Sequence, residues 1–348
     1  MLEPNGSRCV SLERLEAMTS WLMRSHQLFN IILSVLTLIA SSYSMCLLGM
    51  RRTFFGCSRS LIFTILFFAN TYSVNKALTE VLNIFKGFTD GSDPCGVQYR
   101  AETCKPFLWI HAFSYACINL NVTLLILKQT IATFVRRNFH MGQSLTNFAS
   151  ILTIVLSIIW TCFLFKDEQY QTYIATCTQF PLDTINGYLD KTSAVNTVSI
   201  IFSVLCFWNF FQSSILCFWS QTSAKRTAKT FKLEAKFEAY ENVVTSKATC
   251  MISFTIIFVT IISRIGFFYL YDESTTLKGY WLYILDELNE LMIIAMFLTP
   301  VIIILTVDLV VKSRERSMSK AMNAPQDLSI HRLRQEWDEK WARSRYLK

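Results

Sequence analysis

Residues 145–165 read LTNFASILTIVLSIIWTCFLF, a run without one charged side chain. A segment of about 20 apolar residues is what an α-helix needs to cross the hydrocarbon core of a bilayer. Backbone polar groups in that core must find partners within the protein, and a helix satisfies them within the segment. This run therefore predicts a membrane-spanning helix and indicates the class of the whole chain.

Six other apolar runs lie on either side of it, so the sequence predicts seven spans. They cover residues 27–49, 60–85, 106–135, 145–165, 194–220, 248–271 and 280–311. The chain is 52% hydrophobic and 17% charged, whereas a soluble domain carries about 25% charge. We predict an all-α, seven-transmembrane helix bundle. Its domains are an extracellular N-terminus over 1–26, a receptor domain over 27–311 and a cytoplasmic tail over 312–348.

The distribution of positive charge predicts the orientation. Of the 33 Lys and Arg residues, 21 lie in the loops after the first, third and fifth spans and in the tail, and 9 lie on the other side. Basic residues are retained in the cytoplasm, so the N-terminus is expected outside and the C-terminus inside. The formal charge of +8 then reflects topology and not a nucleic-acid partner. Asn5-Gly6-Ser7 is a glycosylation acceptor consistent with an outside N-terminus.

Four cysteines fall in the predicted extracellular segments, where disulfides form: Cys9, Cys95, Cys104 and Cys177. A Cys104–Cys177 bond would tie the loop between the fourth and fifth spans over the mouth of the bundle. The alternative is a local Cys95–Cys104 bond, with Cys177 paired to Cys9. The residues alone leave both pairings open.

Catalytic and cofactor motifs are absent from the sequence. The four histidines are scattered over different segments and do not form a two-histidine zinc motif. No nucleophile elbow, phosphate-binding loop or dinucleotide fingerprint occurs. We therefore expect no enzyme activity, no catalytic residues, no metal and no cofactor.

Ionisable side chains inside predicted spans are costly and usually face the bundle interior. Lys76 and Glu80 are four residues apart, so they share a helix face. Counted along the spans, these charges collect in the outer half of the bundle. They either line a ligand pocket or only fasten helices together, and the sequence does not decide between the two. The ligand-pocket candidates are Lys76, Glu80, Trp109, Phe113, Arg264, Tyr283, Glu287 and Glu290.

The predicted cytoplasmic segments contain two amphipathic patterns. In the loop over 221–247, Leu233, Phe237 and Tyr240 recur at helical spacing. In the tail, Leu333, Trp337 and Trp341 recur every four residues among basic side chains, a pattern typical of a helix lying on an anionic lipid surface. The lipid bilayer is thus an expected partner.

Two short motifs resemble those of the nematode serpentine chemoreceptors of the Sra superfamily, which includes the Sra, Srab, Srb and Sre classes. Residues 233–242, LEAKFEAYEN, resemble the third cytoplasmic loop of that family, an aromatic residue followed by Glu-Asn. Residues 128–133, KQTIAT, resemble its Glu-Arg-x-x-Ala-Thr at the end of the third helix, with Lys128 and Gln129 replacing the Glu-Arg pair. The Sre class is slightly preferred.

The resemblance implies a chemosensory G-protein-coupled receptor in the plasma membrane of a nematode sensory neuron, in its cilium. Such a receptor would bind an environmental small molecule and signal to a heterotrimeric G protein. The implied G-protein contacts are Arg136, Arg137, Phe237, Tyr240 and Asn242. The alternative is a seven-helix transporter or ligand-gated channel that uses the buried charges as an ion path.

Overall fold

The computed structural model describes residues 12–51, 56–134, 143–166, 173–174, 176–177, 194–227, 233–272, 279–288 and 291–322. Within these ranges the side chains of residues 233–242 and of Arg264, Tyr283 and Asp286 are among those not described. The chain divides into two compact units, Met1–Ile304 and Leu305–Lys348. Each unit is considered by itself.

Almost every described residue is helical. The helices are α1 (Leu12–Thr19), α2 (Trp21–Arg51), α3 (Gly56–Thr89), α4 (Ala101–Phe134), α5 (Gln143–Leu164), α6 (Ala194–Thr227), α7 (Leu233–Asp272), α8 (Gly279–Leu288) and α9 (Met292–Met322). Six stretches of the described residues are long and apolar enough to cross a membrane. They are Trp21–Met50, Ser58–Thr89, Ala101–Ile131, Asn147–Leu164, Val243–Ser263 and Met292–Lys312. Helix α6 has 34 residues but is not among these six.

The first six predicted runs coincide with α2 to α7 to within one residue or lie inside them. The seventh predicted run, 280–311, overlaps two described helices, and residues 289–290 between them lie outside the described residues. The structure has two described helices there, α8 and α9, and α9 starts with a new turn in which the Ile294 amide donates to the Leu291 carbonyl at 3.0 Å.

The predicted N-terminal segment 1–26 contains helix structure that the sequence analysis did not anticipate. Helix α1 ends and α2 begins around Ser20. The Ser20 hydroxyl donates to the Ala17 carbonyl at 2.7 Å, and the Met23 amide donates to that hydroxyl at 3.2 Å. Ser20 thus caps the first turn of α2, a role that serine performs well. Its local hydrogen bonding separates α1 from α2 and starts α2 six residues before the predicted span.

Consecutive helices pack against each other, most extensively α6 with α7, α2 with α3 and α3 with α4. The two faces that α2 and α3 bury contain unusually many polar residues. On α2 these are Asn30, Ser34, Thr37, Ser41 and Ser44, and on α3 they are Ser73, Lys76, Thr79, Glu80 and Asn83. Small polar residues allow helices in a membrane to approach closely and to hydrogen-bond across the interface. Helix α1 contacts α2, α3 and α8, so it covers one end of this interface.

Candidate functional site at the disulfide end of the bundle

A disulfide joins Cys104 at the start of α4 to Cys177, with the two Cα atoms 5.0 Å apart. This is the first of the two pairings considered from the sequence, and it excludes the Cys95–Cys104 bond. Strand β1 (Tyr99–Arg100) pairs antiparallel with β2 (Tyr173–Ile174) beside it. The strands and the disulfide hold the segment after α5 against the first turns of α4. We call this end of the bundle the disulfide end.

The strand β1 is anchored to α3 through Tyr99. Its hydroxyl donates to the Leu82 carbonyl at 2.8 Å, and the Lys86 ammonium lies 4.3 Å from the centre of its ring. Burial raises the pKa of Tyr99 to about 12, and the charge of Asp90 adds to this shift. Tyr99 therefore remains a neutral hydrogen-bond donor at physiological pH and fixes the strand on the end of α3.

The aromatic candidates of α4 pack in two different places. Trp109 stacks on Phe165 at a centroid distance of 5.7 Å and joins the apolar cluster around the disulfide. Phe113 instead contacts Phe68 of α3 edge to face, at 5.6 Å. Four residues separate the two rings along α4, but one contacts the end of α5 and the other contacts α3. They do not form one pocket wall.

The charged candidates of α3 form a buried cluster. The Lys76 ammonium lies 2.9 Å from Glu80 Oε1, and each side chain is only 1% exposed. Asn30 of α2 donates from Nδ2 to the same Glu80 oxygen at 2.8 Å and lies 3.1 Å from Nε2 of His26. A hydrogen bond to a buried carboxylate contributes about 1.5–3 kcal/mol. The ion pair is thus part of a continuous network that joins α2 to α3.

Glu287 of α8 lies at the same end and is 7% exposed. The Thr176 hydroxyl donates to Glu287 Oε1 at 2.7 Å, and Thr176 is the neighbour of the disulfide-bonded Cys177. Helix α8 also contacts α2, the helix that carries His26 and Asn30. The structure therefore pairs Lys76 with Glu80 and holds Glu287 on Thr176 at the same end of the bundle. The structure does not describe the side chains of Arg264 and Tyr283. It does not describe Glu290 at all.

Three members of this site were missed by the sequence analysis: His26, Asn30 and Thr176. Asn30 had a signal, because it begins a row of polar residues on α2 at spacings of three and four that ends at Ser44. His26 lies one turn before it. Thr176 had no such signal, since its partner Glu287 is 111 residues away and Thr176 itself lies in a loop outside the predicted spans.

The opposite end of the bundle holds the two residues that replace the Glu-Arg pair. The Lys128 ammonium donates to the Ser58 hydroxyl of α3 at 2.5 Å. The Ser246 hydroxyl of α7 donates to Gln129 Oε1 at 3.1 Å, and both residues are buried. The first contact involves one charged group and joins α4 to α3, and the second is neutral and joins α4 to α7.

The predicted G-protein contacts are only partly described. The structure describes the backbone but not the side chains of Phe237, Tyr240 and Asn242 on α7, and it does not describe Arg136 and Arg137.

Comparison with known proteins identifies the family of this chain. The family model described as the serpentine type seven-transmembrane G-protein-coupled chemoreceptor Sra matches residues 4–337. The chain belongs to the Sra chemoreceptor family. The match covers all the predicted spans, so the protein is a multi-pass, seven-transmembrane helix bundle of a receptor family and not of an enzyme family.

Curated relatives from Caenorhabditis elegans agree with this assignment. Serpentine receptor class alpha-10 is 20% identical over 70% of each chain. Serpentine receptor class alpha-29 is 20% identical over 95% of this chain and 94% of its own. Serpentine receptor class beta-18 is 26% identical over 58% of this chain and 54% of its own. The slight preference for the Sre class is not confirmed, because the matching model is that of Sra.

Among the residues that the structure describes, no group of three or more His, Cys, Asp and Glu side chains could hold a metal ion. Lys76, Glu80 and Asn30 of this Sra family member bond instead to each other. The arrangement at the disulfide end can recognise a small molecule through charge and hydrogen bonds.

Proposed function

We propose that this Sra family member binds an environmental small molecule at the disulfide end and signals to a heterotrimeric G protein. The observation that carries the proposal is the buried network of Lys76, Glu80, Asn30 and His26 in a chain of a chemoreceptor family. Buried ionisable groups in membrane helices usually mark functional positions. A ligand from the environment can reach this site only if the disulfide end faces the outside of the cell.

The location of the network suits a receptor. Glu287 is bonded to Thr176, so the carboxylate is connected through Cys177 to the first turns of α4. A ligand that inserts between these groups would contact α2, α3, α8 and the loop at once. It would shift the receptor between two packings by the difference of its affinities for them. We propose that the plasma membrane of a sensory neuron, in its cilium, is where this occurs.

The proposal is tested by expressing the full-length chain in cells and screening odorants for a second-messenger response. A response that disappears when G proteins are inactivated supports the receptor. A ligand-gated current that persists without G proteins would support a channel instead. Substrate accumulation without either signal would support a transporter.

The orientation is a separate prediction. We expect Asn5 to be glycosylated, because an outside N-terminus exposes its acceptor sequence to the glycosylation machinery. We also expect an epitope placed after Lys348 to be stained only in permeabilised cells. The measurements are a mobility shift on glycosidase treatment, with Asn5→Gln as the control, and antibody staining. Tail staining of intact cells would invert the topology and contradict the receptor proposal.

The G-protein contact is proposed at the opposite end of the bundle. Arg136 and Arg137 follow α4, and Phe237, Tyr240 and Asn242 lie along α7. Cations and aromatic residues of this kind are suited to an interface with an acidic partner. The alternative role for the arginine pair is to retain this end in the cytoplasm.

Alanine substitution separates these roles. For Phe237→Ala, Tyr240→Ala and Arg136→Ala, made one at a time, we expect a normal surface level and normal ligand binding with loss of at least about tenfold in second-messenger output, as for an interface anchor of about 1.4 kcal/mol or more. Surface level, binding and second messenger are measured on the same cells. A response that falls only in proportion to surface level would assign these residues to structure and topology.

A further inference from the structure

Asn83 is a buried amide without a hydrogen-bond partner. It lies on α3 and is 6% exposed, and neither Nδ2 nor Oδ1 makes a hydrogen bond. Among the described residues, it is the only buried amide side chain with both atoms unpartnered. Other buried asparagines of the bundle use their nitrogen. Asn75 donates to the Phe107 carbonyl and Asn121 to Thr153.

The position of Asn83 places it in the candidate site. It follows Glu80 by three residues and Lys76 by seven, so all three lie on one face of α3. Asn30 of α2 bonds to Glu80 through its nitrogen and leaves its own Oδ1 unpartnered. The site therefore offers three unused polar atoms beside Glu80: one donor, Asn83 Nδ2, and two acceptors, Asn83 Oδ1 and Asn30 Oδ1. Helix α1 closes this end, because it contacts α2, α3 and α8.

An amide buried without partners weakens the folded state, since it loses its hydrogen bonds to water and receives none in return. Buried polar groups in proteins nearly always have partners, so an exception calls for a specific cause. A leucine at position 83 would fill a similar volume without that cost. The amide is thus not explained by stability, and its face beside Glu80 and Asn30 indicates a partner that arrives from outside the chain.

We propose that Asn83 binds the ligand, and that the ligand is a small molecule with an uncharged primary carboxamide. This inference rests on the proposed receptor function. Asn83 Nδ2 donates to the ligand carbonyl, and Asn83 Oδ1 accepts one ligand N–H, which forms a planar pair of two hydrogen bonds. The second ligand N–H is available to an acceptor such as Asn30 Oδ1. An ionised carboxylic acid is disfavoured, because it has only acceptor atoms and cannot donate a hydrogen bond to Asn83 Oδ1.

The test uses the purified full-length receptor and three probes with one carbon skeleton: hexanamide, N,N-dimethylhexanamide and hexanoate at neutral pH. Thermal unfolding is measured with and without each probe. A ligand that binds only the folded state raises the Tm. We expect hexanamide to raise the Tm of the unaltered receptor by roughly 2–4 °C at saturation, and the other two probes to leave it unchanged.

Two variants complete the test. Asn83→Leu is expected to keep or raise the Tm without probe and to lose the response to hexanamide. Asn121→Leu, which cuts a bond between α4 and α5 away from the site, is expected to lower the Tm and to keep that response. An equal response in Asn83→Leu, a response to all three probes, or no response in the unaltered receptor would each overturn the inference. An odorant that signals equally through Asn83→Leu would overturn it while leaving the receptor function intact.

Discussion

Lys76→Met is expected to reduce folded receptor more than any other single change at the site. It removes the cation that pairs with Glu80 at 2.9 Å and leaves a carboxylate that is only 1% exposed. Removing one partner of a buried ion pair costs about 3–5 kcal/mol, because the remaining charge is uncompensated. Asn30 still donates to Glu80, so the cost is expected near the lower limit. The measurements are surface level in cells and Tm of the purified receptor.

The double variant Lys76→Met with Glu80→Met separates folding from ligand recognition. Replacing both charges with apolar residues of similar volume is often neutral or stabilising, so folded receptor should return. If the pair contacts ligand, the response to an agonist should not return with it. If the pair only fastens the helices, folding and response should recover together. Recovery of neither would show that Lys76 has a further role.

An exposed ion pair is the matched control for Lys76→Met. Lys312 and Asp308 lie 2.7 Å apart at i,i+4, as Lys76 and Glu80 do, but their side chains are 59% and 51% exposed. Exposed pairs of this kind contribute about 0–1 kcal/mol. Lys312→Met should therefore leave surface level and Tm almost unchanged. An equal loss in Lys312→Met and Lys76→Met would contradict the assignment of the effect to burial.

Removing the disulfide is expected to have the second-largest effect. Cys104→Ala and Cys177→Ala should each lower stability by a similar amount, and the double variant should be no worse than either single one. For a sequence separation of 73, chain entropy alone predicts about 4 kcal/mol. Helices α4 and α5 lie within the closed loop and stay largely formed in a bilayer, so the measured cost should be lower, at about 2–3 kcal/mol.

The disulfide variants also test its connection to Glu287. Loss of the bond frees the segment that holds Thr176, so agonist potency should fall together with stability. Cys162→Ala is the control, because Cys162 is a free, exposed thiol on α5, and it should behave as the unaltered receptor does. The bond itself is checked by peptide mapping without reduction. Recovery of Cys104 linked to Cys95 would contradict the structure at this point.

Local features of the site were predictable, and the contacts between segments were not. Lys76 and Glu80 share a face because they are four residues apart on one helix, which the sequence alone implies. Asn30 reaches Glu80 from 50 residues away, and that contact depends on how α2 docks on α3. Trp109 and Phe113 were predicted as ligand-pocket candidates, but the sequence did not show that Trp109 packs on Phe165 and Phe113 on Phe68 of α3.

By itself, the sequence predicted which segments are long and apolar enough to cross the membrane. The cost of unpaired backbone groups in hydrocarbon makes any apolar run of sufficient length a helix, whatever its neighbours are. The tertiary structure alone decided which polar side chains meet at the disulfide end. The contact of Asn30 with Glu80 and the unpartnered amide of Asn83 depend on the register between packed helices, and the contact of Thr176 with Glu287 depends on where the disulfide holds the segment after β2. That register is set by many weak van der Waals contacts between helices, and no local sequence pattern predicts it.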